Sequence, residues 1–179
     1  MKYNPDLHHR RSLRLKGYDY AQVGLYFITI CTRNREQLFG TVENGEMILN
    51  EYGEMAETCL LEIPDHFPYA KMHQFIVMPN HIHCIVEITV GANNHSPLPS
   101  NTAQANDNSP LHGTSKTIGS IVRGFKTGVT KWFRKNTGIH TVWQHNYYEH
   151  IIRDEKSYYQ ISEYIQTNPL KWQDDKYYA

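Results

Sequence analysis

Hydrophobic positions along the chain follow two rhythms, and the changes between them mark its elements. LYFITICT, residues 25 to 32, is dense in β-branched and aromatic side chains and predicts a strand. In LFGTVENGEMILN, residues 38 to 50, apolar positions alternate on both sides of Asn44-Gly45, a pair suited to a two-residue turn, so a tight hairpin is expected. From Glu51 the spacing becomes helical. Tyr52, Met55, Ala56, Cys59, Leu60 and Ile63 share one face, and Pro64 is the expected stop. The next apolar run, residues 73 to 90, predicts a strand. A long helix starts near Ser115, with Ile118, Ile121, Val122, Phe125, Val129, Trp132 and Phe133 in one stripe and Gly138 as its end signal. VWQHNYYEHIIR, residues 142 to 153, predicts one more strand, and Asp154 is placed to cap a last helix running toward Thr167. Strand, hairpin, helix, strand, helix, strand, helix predicts an α+β fold, an antiparallel sheet with helices packed on one face.

One segment fits neither rhythm. Residues 91 to 115, GANNHSPLPSNTAQANDNSPLHGTS, are almost wholly polar and longer than the ~12 to 15 residues usual for a structureless connection. We read it as a mobile loop inside a single domain spanning residues 1–179, because the candidate chemistry draws on residues from both sides of it. A chain of 179 residues with 40% hydrophobic content suffices for one core.

Charge alters the picture through its placement. Lys plus Arg and Asp plus Glu balance at 18 each, so the total predicts no polyanionic partner. Yet the N-terminal arm, residues 1–23, contains HHRRSLRLKGYDY, where Arg10, Arg11, Arg14 and Lys16 stand among histidines and tyrosines. That mixture suits phosphate neutralisation and base stacking. The polar side of the long helix carries Arg123, Lys126 and Lys131, with Lys116, Arg134 and Lys135, and no acid. No run of 18 apolar residues and no apolar N-terminal segment exists, so a cytoplasmic protein with no membrane partner is expected, nucleoid-associated when bound to DNA. Cys31, Cys59 and Cys84 are too scattered for a disulfide framework or a zinc knuckle and read as small core residues.

The candidate chemistry begins in VMPNHIHCIVEI, residues 77 to 88. Alternate side chains of a strand point to one face, so His81 and His83 aim at a common spot. In a chain with 11 histidines such a pair arises by chance on the order of once, and it counts only in context. SEYIQTNP supplies a second element. Tyr164 and Asn168 are four residues apart and so stack on one helical face, and Asn168, preceding a proline, is expected at a frayed end from which its amide can swing. Two histidines and one carbonyl oxygen can hold a divalent ion with open positions, which polarises a phosphate oxygen, and a nearby tyrosine can then attack phosphorus. Trp143 can stack on a base or sit in the core. His150, a lone strand histidine, can shape the site, grip DNA or be structural.

NHIH followed by a strand, with YI..NP on a downstream helix, resembles the HUH (His-hydrophobe-His) single-tyrosine transposases of the insertion-sequence 200 type, and more closely the REP-associated tyrosine transposases. The likeness extends over HHRRSLRLKGYDY, YFITICTRNR, VMPNHIHCIVEI, SIVRGFK and the stretch VWQHNYYEHIIRDEKSYYQISEYIQTNPLKW, and thus nearly the whole chain. It implies a ferredoxin-like or RRM-like sheet, metal ligation by His81 and His83, and Tyr164 as nucleophile. It also implies a third ligand at Asn168, where the insertion-sequence relatives have a longer Gln; Gln160 or a water is the alternative. The implied activity is a metal-dependent (Mg or Mn) single-stranded DNA endonuclease and strand transferase acting at hairpins through a 5'-phosphotyrosine, in a monomer or a homodimer. Glu149 and His150 also match a pattern of that family. The competing readings are a catalytically silent binder of hairpin nucleic acid and a zinc metallohydrolase using His81, His83 and a further histidine such as His150.

Overall fold

The structure, a computed structural model, describes residues 20–89 and 116–178. Arg10, Arg11, Arg14 and Lys16 of the arm, and the polar loop 91–115, lie outside the described residues. The elements are β1 (Gly24–Cys31), β2 (Gly40–Glu43), β3 (Glu46–Leu49), α1 (Glu51–Leu61), α2 (Ile63–His66), β4 (Ala70–Met78), β5 (His81–Ile88), α3 (Ile118–Asn136), β6 (Tyr148–Ile152) and α4 (Glu155–Thr167), with short 3-10 helices at Arg33–Arg35 and Pro169–Asp174.

Four strands form one antiparallel sheet in the order β4-β5-β1-β6. The two central strands are covered on both faces, which explains their near-continuous apolar sequences. On one face Tyr26, Ile28, Ile30, Ile82, Cys84, Val86 and Ile88 meet the buried stripes of α1 and α3. Each such fully buried side chain contributes about 1.5–3 kcal/mol, so this layer holds most of the fold's stability. Opposite it lies a smaller cluster, where Phe27, Ile85 and Ile152 receive Ile165 of α4 together with Tyr158, Ile161 and Tyr164. The α+β sheet expected from the sequence is present, and α4 adds cover on its second face.

Local chemistry accounts for the boundaries. Asn44 and Gly45 both have positive φ, 52° and 80°, as the tight β2–β3 turn requires. The Asn50 side chain caps α1 by accepting from the backbone N–H groups of Tyr52 and Gly53, and Asp154 caps α4 by accepting from Ser157. Pro64 sits in the first turn of α2, where its missing N–H costs nothing, so the chain turns into a second short helix there.

Three expectations need correction. Residues 73 to 90 are not one strand: Pro79 and Asn80 turn the chain between β4 and β5, with Met78 paired to His81. In 142 to 153 only Tyr148–Ile152 joins the ladder, and Trp143 makes a single bridge to Thr32. Asn168 is not frayed: it keeps helical angles (φ −57°, ψ −42°), is 1% exposed, and passes directly into the 3-10 helix. Among the described residues no helix is long and apolar enough to cross a membrane.

Gly53 lets α1 lie against the loop before β2, since a Cβ there would collide with the Phe39 carbonyl oxygen and with Leu49. Alanine normally stabilises a helix interior relative to glycine by about 0.5–1 kcal/mol. Gly53→Ala is instead expected to destabilise by about 1–3 kcal/mol, as overpacking does. A thermal melt decides: a raised melting temperature contradicts this packing.

Candidate active site

β5 places His81 and His83 on the face shared with α4, opposite Cys31 and Thr29 of β1. Both imidazoles are buried, at 0% and 1% exposure. Each is held at its Nδ1. Asn80 Oδ1 lies 2.9 Å from His81 Nδ1, and Thr29 Oγ1 lies 2.8 Å from His83 Nδ1. The Asn80 amide is oriented in turn, because its Nδ2 donates to the carbonyl oxygens of Arg35 (3.2 Å) and Tyr177 (2.8 Å). Its oxygen therefore faces His81, which must carry its proton on Nδ1 and expose a lone pair at Nε2.

The two Nε2 atoms converge to 3.0 Å. Two nitrogens bound at about 2.1 Å to one ion, at right angles, are about 3.0 Å apart, so the pair has the spacing of neighbouring metal ligands. Burial favours the neutral forms that a metal needs: it pulls the His81 pKa down to about 4 against the opposing charge of Asp175, and pulls His83 down as well, helped by His81.

The phenol and the amide come from the end of α4. Tyr164 Oη lies 3.2 Å from His83 Nε2 and donates to Asp175 Oδ2 at 3.3 Å. Its ring stands edge-on to Phe27, centroids 6.2 Å apart. Asn168 Nδ2 donates to the same Asp175 oxygen at 2.8 Å, while Asn168 Oδ1 is buried without a hydrogen-bond partner. An orphaned buried carbonyl oxygen costs about 1–3 kcal/mol, and at this position it has the chemistry of a metal donor. His81, His83 and Asp175 each bring a ligand atom within 4.8 Å of the others. Desolvation first, then the charge and hydrogen bond of Asp175, raise the Tyr164 pKa above the ordinary phenol value, so this environment holds the hydroxyl protonated.

Asp175 gave no signal in the sequence. It is one of two adjacent acids in a polar tail, and only the turn of Pro169–Asp174 brings it back to α4. The chain continues over the imidazoles. The Tyr177 N–H donates to Asp175 Oδ1 at 2.7 Å, and its ring lies 4.6 Å from that of His81. Thr29, Asn80 and Tyr177 likewise escaped the sequence reading, although Asn80 is the first residue of NHIH.

The remaining candidates spread more widely. Gln160 is exposed on α4, and Asp175 stands at the cluster instead. His150 is exposed on β6 opposite Phe27 and is not one of the converging ligands. Trp143 is a core residue: 8% exposed, packed on Phe39 and Phe125, with its Nε1 donating to the Lys126 carbonyl oxygen. It presents no open face to a base. Lys126 Nζ donates to the carbonyl oxygens of Gln144, His145 and Asn146, and burial lowers its pKa to about 8, so it ties α3 to the segment before β6. Arg123 and Lys131 are exposed and line a groove of about 550 Å³ with Arg134, His145 and Tyr147.

No family model matches the chain. An uncharacterized protein of Haemophilus influenzae is 53% identical over 180 residues, covering 99% of this chain and 98% of that one. The REP-associated tyrosine transposase of Escherichia coli K12 is 24% identical over 152 residues, 85% of this chain and 70% of that one. The solved structure of a REP-associated tyrosine transposase bound to a REP hairpin superposes with a TM-score of 0.58 at 22% identity, covering 91% of this chain and 76% of that chain. In sequence over most of its length, and in fold, the chain is thus similar to the REP-associated tyrosine transposases.

Proposed function

We propose that this chain is a metal-dependent single-stranded DNA endonuclease and strand transferase that works at hairpin sequences through a 5'-phosphotyrosine on Tyr164. The observation that carries the reading is the Tyr164 hydroxyl 3.2 Å from His83 Nε2, at the edge of a buried donor cluster. A phenol so placed has a phosphate as its natural partner.

The donors fit a hard or borderline divalent ion: His81 Nε2, His83 Nε2 and the unpartnered Asn168 Oδ1, with Asp175 beside them. Magnesium or manganese there would supply Lewis acidity toward a phosphate oxygen. The chain's own groups do the rest. Asp175 Oδ2 accepts the Tyr164 proton, and the phenolic oxygen forms a bond to phosphorus as the bond from phosphorus to the 3' oxygen breaks. The departing 3' oxygen takes up a proton, from protonated Asp175 or from water, so one strand end leaves as a free 3'-OH, and the other stays on Tyr164 through its 5' phosphate. The ester conserves the bond energy, so attack by a 3'-OH reverses the step and joins strands. Because Tyr164 meets the histidines of its own chain, one copy suffices for a complete site. Arg123 and Lys131 along the α3 groove supply phosphate contacts that position the strand without reading its sequence.

Two outcomes follow. A hairpin oligonucleotide labelled at its 3' end and incubated with Mn2+ is expected to transfer label covalently to the wild-type protein on a denaturing gel, and Tyr164→Phe to abolish that transfer. Label retained by the Phe variant would contradict the assignment. His81→Ala is expected to remove the covalent product while leaving affinity for the same oligonucleotide within a few-fold, since phosphate contacts carry most of the binding.

Asn80 acts through His81, and residues that orient a metal-bound imidazole contribute about 10–100-fold in metal affinity. Asn80→Ala should therefore weaken Mn2+ binding by that factor in calorimetric titration. Unchanged affinity would mean that His81 is not a ligand.

A further inference from the structure

β5 carries a third functional side chain on its site face. His81, His83, Ile85 and Glu87 alternate toward α4, and Glu87 lies four residues beyond His83, about 13 Å away along the strand. Glu87 Oε2 is 2.8 Å from His73 Nε2, and His73 Nδ1 is 3.1 Å from the Tyr158 hydroxyl. β4 breaks its register between Met72 and Phe75, at His73, a local irregularity of the kind that re-aims a side chain. The resulting array of Glu87, His73 and Tyr158 forms one wall of an open cavity of about 620 Å³ that Arg153, Asp154, Glu155 and Tyr159 also line. Nothing in the proposed chemistry at Tyr164 uses it.

The direction of these hydrogen bonds determines what the cavity offers. Glu87 is an acceptor, so His73 donates to it from Nε2, and in the tautomer with its one proton there the ring presents a lone pair at Nδ1. Tyr158 then spends its proton on His73, and its oxygen is left as an acceptor, as is the second oxygen of Glu87. The polar wall is thus acceptor-rich. Tyr159, 62% exposed and set edge-to-face with Tyr158 at 5.7 Å between ring centroids, supplies an exposed aromatic ring beside it, and Arg153 a cation at the rim. An aromatic platform, an acceptor wall and a cation match a nucleotide whose base carries an exocyclic amino group.

The geometry points to this cavity as a base-reading subsite: it holds one unpaired adenine or cytosine of the substrate strand, stacked on Tyr159, with its amino group on Glu87 and Tyr158. This rests on the reading of the chain as a single-strand nuclease and adds a source of sequence preference to it. Tyr158 is six residues from Tyr164 on α4, about 9 Å along the helix. At the ~3.4 Å rise of a stacked strand that is roughly two to three nucleotides from the cleaved phosphate.

The test uses fluorescein-labelled single-stranded oligo-dA, oligo-dC and oligo-dT, the full chain, and EDTA to prevent cleavage, with anisotropy as readout. Wild-type protein is expected to prefer oligo-dA and oligo-dC over oligo-dT by about fivefold or more. Glu87→Gln and Tyr158→Phe should each bring that ratio to within about twofold of unity while leaving oligo-dT binding unchanged. Tyr159→Ala, at an exposed position that puts folding at no risk, should weaken the amino-bearing strands by about tenfold. Equal affinities for the wild type, a preference that persists in both wall variants, or unaltered binding by Tyr159→Ala would overturn the subsite. Because the assay contains no metal, it separates from the Tyr164 reading. A preference dependent on Glu87 without covalent product leaves the subsite standing and removes the nuclease, whereas covalent product without that preference does the reverse.

Discussion

Two imidazole nitrogens held 3.0 Å apart in a dry sheet interior are what the rest of this molecule is arranged around. Burying two imidazoles removes both from water, which costs free energy unless their nitrogens find partners. They stay because each is fixed from behind, His81 by Asn80 and His83 by Thr29. Asn80 in turn is locked by two backbone carbonyls from distant parts of the chain. The orientation of the pair is therefore set by the turn between β4 and β5, by the central strand β1, and by the C-terminal segment together. On the proposed reading, a site built on rigid strands with its supporting bonds satisfied is preorganised for a divalent ion.

The large apolar layer under α1 and α3 has no chemistry of its own. It makes the sheet stiff enough for the other face to be polar. On that other face α4 is anchored by a modest cluster around Phe27, Ile85 and Ile165, and by polar contacts at both ends. Near its start Tyr158 bonds to His73, and near its end Tyr164 and Asn168 bond to Asp175. The helix thus carries Tyr164 between two hydrogen-bonded anchors, and the Pro169–Asp174 turn returns an acid to its hydroxyl. Burial first, and then Asp175, raises the Tyr164 pKa, and Asp175 is the acceptor of its hydroxyl proton.

Much of this was readable because it follows from periodicity. Alternation put His81 and His83 on one face, the helical stripe Ile118 to Phe133 found α3, and Asn44-Gly45 found its turn. What failed was whatever depended on contacts distant in sequence. Apolar residues on both sides of Pro79 hid a turn inside an apparent strand. Trp143 and Lys126 looked suited to DNA by residue type, but one fills the core and the other caps carbonyl groups. The rule that a residue before proline leaves the helix misjudged Asn168, because burial and its bond to Asp175 outweigh a local preference. Asp175 itself had no motif, since its role exists only once the chain has doubled back.

The central claim is that the His81 and His83 nitrogens are a metal seat beside Tyr164. Crystals of the protein soaked in Mn2+, with an anomalous difference map collected at the manganese edge, test it most directly. The account predicts one strong peak about 2.2 Å from both Nε2 atoms, with Asn168 Oδ1 turned onto it and the Tyr164 oxygen at the rim. No peak between the imidazoles, or manganese held by other residues with the 3.0 Å contact between the nitrogens intact, would contradict it.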